Sequence, residues 1–418
     1  MNSQSNYNIK LIEILSLVAA SIIPLLVTGP FIPDLTISFI SIFFIIFCFK
    51  YKIYYLYLNK FFLIFLFFWF FCVISSLLSE HVLFSLKASF FYIRIAIFSL
   101  FIYFLIDQNK KIISYFYYSF SLTFSVIVFD GFFQYFTGYN LLGYEIYKIG
   151  NESFRLSSLF GDELILGSYL SRLFPLYFAL FIIRKNQSKF EITYIFLLFI
   201  LIEVLVFLSG ERASFFFLNL STLFILILIK KKKLFRLSVF LIGLIIVTFI
   251  TFKDDRLYNR FIKAPIESTG LSKSSEKKYF FTPEHDSLFR TAWKMFLDKP
   301  VLGHGPKTYR LNCDNKKYAT GVSPCHTHPH NFYIQLLAET GLIGALFLIG
   351  LFFYIIFLAL RHIFEFLKYK KFYLSDYQIC LLAGLLITTW PITTNGNFFT
   401  NYLMMFYSLQ IGFFRKDL

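Results

Sequence analysis

The stretch EITYIFLLFILIEVLVFLSGERASFFFLNLSTLFILILIKKKK, residues 191–233, decides what kind of protein this is. It holds two apolar runs, 191–209 and 213–229, each close to the roughly 20 residues a helix needs to cross hydrocarbon. Only a tight polar turn at Gly210-Glu211-Arg212 separates them, so the pair folds back as a membrane hairpin. Lys230 to Lys233 then close the second run, and a lysine cluster at a span end marks the cytoplasmic side.

The same pattern extends over the whole chain. Apolar runs at 11–29, 35–49, 61–79, 88–106, 112–133, 164–183, 235–252, 332–359, 375–392 and 397–414 bring the expected spans to about twelve. With 57% hydrophobic and 15% charged residues among 418, and a mean hydropathy of +0.66, the chain is too apolar for a soluble fold. The expectation is an all-α polytopic membrane protein with no room for a large soluble nucleotide-binding or catalytic domain. The high Phe and Tyr counts carry no functional weight, because codon bias can produce them.

Charge placement sets the topology. With the N-terminus inside, the segments facing the cytoplasm hold 20 Lys and Arg, and the short outside segments only Lys87, Lys148, Arg155 and Arg212. Most of the net charge of +16 is thereby explained without nucleic acid. The first run begins after Lys10 and contains Pro24, which reads as an uncleaved first span. Three regions follow: 1–252 with nine spans and a small outside loop near 137–163, a large outside loop at 253–331, and 332–418 with three spans. The large loop carries 14 of the 40 basic residues, five of the seven histidines, and Cys313 and Cys325, candidates for a disulfide in an oxidising compartment. Four charges fall inside spans: Arg94, Arg172, Glu203 and Glu339. Measured from the outside at about 1.5 Å per residue, they lie roughly 9 to 12 Å deep. Either they neutralise one another, or they line a polar cavity for an amphiphile's head.

Three outward-facing stretches carry chemistry. Leu208-Ser209-Gly210-Glu211-Arg212-Ala213-Ser214 presents an arginine at the interface, where it either snorkels or offers its fork to a phosphate. The stretch 286–300 reads as a short amphipathic helix with Leu288, Ala292 and Met295 on one face, Asp286 or Ser287 as cap, and Arg290 and Lys294 one turn apart on another face. Gly303-His304-Gly305 after it is a turn. Finally, Cys325-His326-Thr327-His328-Pro329-His330-Asn331 enters span ten; alternating histidines suggest zinc, but Pro329 and the helix start break the extended run, which favours His330 as a lone base over metal ligands.

Taken together, Ser-Gly-Glu-Arg-Ala at the turn, a loop arginine followed by Trp and Pro-Val-Leu-Gly-His-Gly-Pro, and His-Pro-His-Asn running into Gln-Leu-Leu-Ala-Glu-Thr-Gly-Leu-Ile-Gly resemble the bacterial O-antigen ligase and polymerase superfamily. The motifs span roughly residues 150–360. The resemblance implies a periplasmic-face glycosyltransferase of GT-C-like type in the inner membrane. Arg212 and Arg290 bind the diphosphate of an undecaprenyl-linked glycan donor, and His330 activates the acceptor hydroxyl. Lys294, Arg94, Arg172 and Asn331 are further candidates for substrate binding. No nucleotide motif and no outside Asp-x-Asp are present, so no cofactor and no metal are expected, and a single displacement with one base implies inversion. The first expectation is ligation of O-antigen to lipid A-core. A polymerase or a protein O-oligosaccharyltransferase shares the chemistry, and a lipid-linked-sugar transporter or flippase is the alternative of another class.

Overall fold

The computed structural model describes residues 7–149, 153–268 and 282–414. In chain order its principal helices are α1 (Ile9–Thr28), α2 (Phe31–Tyr51), α3 (Lys60–Leu77), α4 (Val82–Gln108), α5 (Ile112–Thr137), α6 (Leu166–Ile183) and α7 (Lys189–Leu208). They continue with α8 (Arg212–Leu228), α9 (Lys233–Lys253), α10 (Pro283–Asp298), α11 (Phe332–Tyr369), α12 (Asp376–Thr388) and α13 (Asn401–Phe413). Nine of these, α1 to α7 with α9 and α11, are long and apolar enough to cross a membrane. Among the described residues the only strands are the hairpin β1 (Tyr147–Ile149) and β2 (Ser153–Arg155) in the smaller loop. The protein is an all-α polytopic membrane protein.

Of the about twelve expected spans, α8 is just long enough to cross, and the last two are shorter than a crossing. α8 has 17 residues, and α12 and α13 have 13 each. At about 1.5 Å per residue the last two are roughly 20 Å long, short of the roughly 30 Å hydrocarbon layer. The cause is the chemistry of Pro391-Ile392-Thr393-Thr394-Asn395-Gly396-Asn397, where a proline and a turn-forming cluster end one helix and delay the next. Non-helical backbone at such depth survives only when protein surrounds it. Here Thr393, Asn395, Asn397, Phe398 and Phe399 are buried.

α6 and α12 sit at the centre of the bundle. α6 packs on α12 and α8, α13 packs on α4, and α10 lies along α11. Every residue of α12 after Asp376 is buried, which is why its sequence is apolar on all sides rather than on one stripe.

The four intramembrane charges do not neutralise one another. Arg94 pairs with Asp34 at 2.5 Å. Glu203 pairs with Arg236, which reaches up from the first turn of α9. Arg172 donates to the Asn395 side chain at 2.9 Å and lies 4.7 Å over the Phe217 ring. Among the described residues Glu339 pairs with no cation; it accepts from the backbone N–H groups of Lys307 and Tyr309 and from Gln335. Each charge instead found a partner on the helix or loop packed against it.

The large loop is fastened by a break in α11. Gly341 adopts φ 65°, ψ −164°, which interrupts the helix. The Ala338 and Glu339 carbonyls, freed from the helical ladder, accept from His304 N–H at 3.1 Å and Gly305 N–H at 2.7 Å, while Leu342 N–H donates to the Pro300 carbonyl at 2.8 Å. Ser75 and Ser79 of the α3 end add hydroxyl bonds to the Leu302 and His304 carbonyls. A Cβ on Gly341 would stand 2.2 Å from the Val301 oxygen.

Gly341→Ala should therefore cost about 2 kcal/mol or more, combining left-handed strain with this clash. Gly350→Ala, on the same helix with open space around it, should be neutral or stabilising by up to about 1 kcal/mol. Thermal unfolding of detergent-solubilised protein checks both, and equal melting points for the two variants would contradict the fastening role.

Candidate active site

The Ser209–Ser214 turn is held by its carboxylate. Glu211 accepts from Gly167 N–H at 2.7 Å and Ser168 N–H at 3.1 Å, at the start of α6, and from the Ser214 hydroxyl at 2.9 Å. A carboxylate is stabilised at such a helix N-terminus by free N–H groups and the dipole. Gly210, at φ 72°, lets two neighbours come close: a Cβ there would stand 2.6 Å from the Phe154 carbonyl, and 3.2 and 3.3 Å from the Arg260 and Arg155 side chains.

Those two side chains are arginines the sequence did not single out for the site. Arg260 donates through Nε to the Gly210 carbonyl at 2.6 Å, and Arg155 donates to the Leu164 carbonyl and lies 3.8 Å from Glu211. Arg212 is exposed at the first position of α8, and among the described residues no carboxylate pairs with it. Burial, and then the charges of Arg212 and Arg155, pull Arg260 down to about 10. Among the described residues, three guanidinium groups thus act on one another around one carboxylate that is already committed to α6.

Helix α10 is built much as its periodicity indicates, with Leu288, Ala292 and Met295 buried against α11 and the loop. Its cap is Thr282, whose hydroxyl accepts from His285 N–H, with Pro283 in the first turn, rather than Asp286 or Ser287. The difference has a local cause: Ser287 instead donates to the Pro283 carbonyl and receives Val322 N–H. Asp286 is drawn to Arg290 at 2.7 Å. Arg290 is 65% exposed, and no contact joins it to Arg212 or His330 among the described residues. Lys294 lies on the same exposed side as Trp293.

The histidine segment leads into α11 from a disulfide between Cys313 and Cys325, Cα to Cα 4.9 Å. Asn331 caps α11, accepting from Tyr333 and Ile334 N–H and donating to the Pro391 and Thr393 carbonyls. Its side chain is fully engaged in joining α11 to the buried 391–400 segment, which makes it a positioning residue. His330 has φ 58°, left-handed backbone that histidine tolerates better than most residues. Asn395 N–H holds it there through the His330 carbonyl at 2.7 Å.

Four imidazoles converge on this point. The His330 ring lies 4.1 Å from that of His328, 4.8 Å from His326 and 5.4 Å from His285. His330 Nε2 is 3.2 Å from His326 Nδ1. His328 Nε2 faces the Asn395 carbonyl at 3.2 Å. Burial, and then His326 and His285, hold His330 at about 4, and burial holds His328 at about 3. Burial also lowers His285, and the charge of Arg212 adds to that effect, so the arginine corner lies within electrostatic reach of the imidazole cluster. His304 stands apart, bonded to the Met295 carbonyl at 3.0 Å and packed on Tyr318.

Residues 195–349 match the family model of the O-Antigen ligases. This is the superfamily that the three motifs resemble. No curated protein matches the chain. The matched segment contains Arg212, Arg260, Arg290 and His330, whereas Arg155 and the 391–400 segment that positions His330 lie beyond it. Their signal was faint. Asn395-Gly396-Asn397 is a visible interruption of an apolar run, but nothing in the spacing tied it to His330, and Arg260 is one cation among many in a basic loop.

A histidine-labelled sample in nanodiscs should show the His330 imidazole neutral at pH 6 and gaining its proton only near pH 4. Nitrogen chemical shifts assigned with His330→Gln check this. A midpoint at or above 6.5 would mean that the ring is solvated and that its packing against His328 is not maintained.

Proposed function

We propose that the protein is a periplasmic-face glycosyltransferase of the inner membrane that moves O-antigen glycan from undecaprenyl diphosphate to lipid A-core, with both termini cytoplasmic. The observation that carries this reading is the neutral imidazole of His330 beside an arginine corner with too few carboxylates to neutralise it. A glycan on a lipid diphosphate is already activated, so neither nucleotide nor ATP is required. Arg212 and Arg260 hold the diphosphate and stabilise the charge that builds as it leaves. Arg290 joins them by exchanging Asp286 for a phosphate oxygen, a small step for an exposed ion pair. Lys294 adds positive charge on the same exposed side of α10. Arg94 and Arg172, which are engaged with Asp34 and Asn395, support the helices beneath rather than the donor.

The acceptor hydroxyl is too weak an acid to ionise, so His330 takes its proton as the new glycosidic bond forms and the bond to diphosphate oxygen breaks. A base held at about 4 is weak in the free protein. Donor diphosphate next to it raises that value by favouring the imidazolium, so the base strengthens when the substrate is present. Attack from the face opposite the leaving group inverts the anomeric carbon. A polymerase of the same superfamily shares every one of these steps and differs only in the acceptor. The deciding experiment mixes purified protein, lipid-linked glycan and candidate acceptors in chelator without nucleotide, and identifies which acceptor becomes labelled. Transfer that requires a divalent ion would overturn the metal-independent mechanism.

His330→Ala should lower turnover by about 10²–10⁴-fold with donor binding largely kept, and His326→Ala and His328→Ala should be milder. Because His330 must be neutral, activity is lost as pH falls through its value. The wild-type kcat/KM should stay level from neutrality down to about pH 5 and fall near 4, while kcat falls at a higher pH because the bound diphosphate raises the imidazole. Robust transfer by a well-inserted His330→Ala protein would end its role as base.

Arg212→Lys, Arg290→Lys and Arg260→Lys should each reduce kcat/KM by about 10²-fold, since an ammonium keeps the charge but not the bidentate fork. Donor affinity and single-turnover rate measure the two effects separately. Wild-type values in the Arg212 variant would leave snorkelling as its function.

A further inference from the structure

One ring nitrogen from each of His326, His328 and His330 can be chosen so that all three lie within 4.8 Å of one another. The closest pair, His330 Nε2 and His326 Nδ1, is 3.2 Å apart. Zinc binds imidazole nitrogen at about 2.0–2.1 Å, which in a tetrahedron sets neighbouring nitrogens roughly 3.4 Å apart. One edge of that triangle therefore already has the required length, and the others close with side-chain movements of the order of 1 Å. The third histidine is prepared in a way typical of metal ligands. His328 Nε2 donates to the Asn395 carbonyl at 3.2 Å, which fixes the tautomer and leaves Nδ1 as the lone-pair atom, where the Thr327 hydroxyl at 2.9 Å donates until an ion displaces it. The segment bearing the three rings is tethered at both ends, by the disulfide at Cys325 and by the Asn331 cap of α11. His326 is exposed, so an ion reaches the cluster from solvent.

We propose that His326, His328 and His330 form a binding site for a borderline transition-metal ion, Zn²⁺ or Cu²⁺, and that filling it blocks the protein by occupying the lone pair of His330. Three neutral nitrogen donors with no carboxylate select such ions over Mg²⁺ or Ca²⁺, which prefer oxygen. Water or the acceptor hydroxyl takes the fourth position. The binding itself stands on the geometry of the three rings; only the blocking rests on the glycosyl-transfer reading.

The test uses the full-length protein in nanodiscs, stripped with chelator and titrated with ZnCl₂, and with Co²⁺ as an absorbing probe. Wild type should bind one ion per chain, and His326→Ala and His328→Ala should each weaken binding by at least tenfold. His81→Ala, on a different loop, should bind as wild type does. Melting curves for each variant, together with His326→Gln, separate lost binding from lost folding. Filling the wild-type site should inhibit glycan transfer, and chelator should restore it. Stripped wild type that binds no stoichiometric ion, binding unchanged in both folded variants, or full transfer with the site occupied would each overturn the proposal. Stoichiometric binding that depends on His326 and His328 supports the site even where no transfer is detected, and in that case it is the transferase reading that fails.

Discussion

The exchange of hydrogen bonds at the Gly341 break is the constraint on which the rest depends. A continuous helix would keep the Ala338 and Glu339 carbonyls for its own ladder. Interrupted, it offers them to the turn 303–305, and that turn brings α10 and the loop down onto the bundle. Net gains per hydrogen bond are only about 1 kcal/mol, but leaving such buried groups unpaired would cost more. The sequence elements Pro-Val-Leu-Gly-His-Gly-Pro and Ala-Glu-Thr-Gly are therefore two halves of one joint. Gly303 and Gly341 are there because backbone meets backbone: a Cβ on Gly303 would stand 2.4 Å from the Glu339 carbonyl carbon.

From that joint the site is assembled through buried polar links rather than apolar packing alone. Gln335 bonds Glu339 and Asn397, Asn331 ties the start of α11 to Pro391 and Thr393, and Asn395 holds both His330 and Arg172. Apart from the Gln335–Glu339 bond within α11, each link spans elements far apart in the chain. Such networks are costly when incomplete and rigid when satisfied. The Asn395 N–H bond to the His330 carbonyl holds the left-handed backbone there, while Asn395 Nδ2, Asn397 Nδ2 and Arg172 Nη1 are buried without a partner among the described residues.

The class of fold was legible because it rests on local properties: apolar run length, lysine placement and the three-residue turn between 209 and 213. So was the buried face of α10, which follows from helical spacing. The pairing of intramembrane charges was not, because residues at one depth need not share an interface, and Asp34 and Arg236 lay outside the set considered. The shortness of α12 and α13 was also hidden, since a run of apolar residues looks alike whether it crosses a bilayer or folds back within the protein. For the site, Arg212 and His330 stood out through their neighbours in sequence. Arg260 did not, because its importance comes from a single contact with the Gly210 carbonyl across 50 residues.

The shortness of α12 and α13 also bears on how a lipid reaches this protein. Two helices of roughly 20 Å beneath the 391–400 segment leave a floor roughly 10 Å lower than the surface of a hydrocarbon layer about 30 Å thick. A polyprenyl chain embedded in the leaflet would then meet arginines and imidazoles at about the level where its own headgroup rests. Pulling an isoprenoid tail out of the bilayer costs about 0.8 kcal/mol for each methylene brought into water. On the proposed reading of a polyprenyl-linked donor, a recessed floor would remove that penalty and make entry a sideways diffusion within the membrane plane.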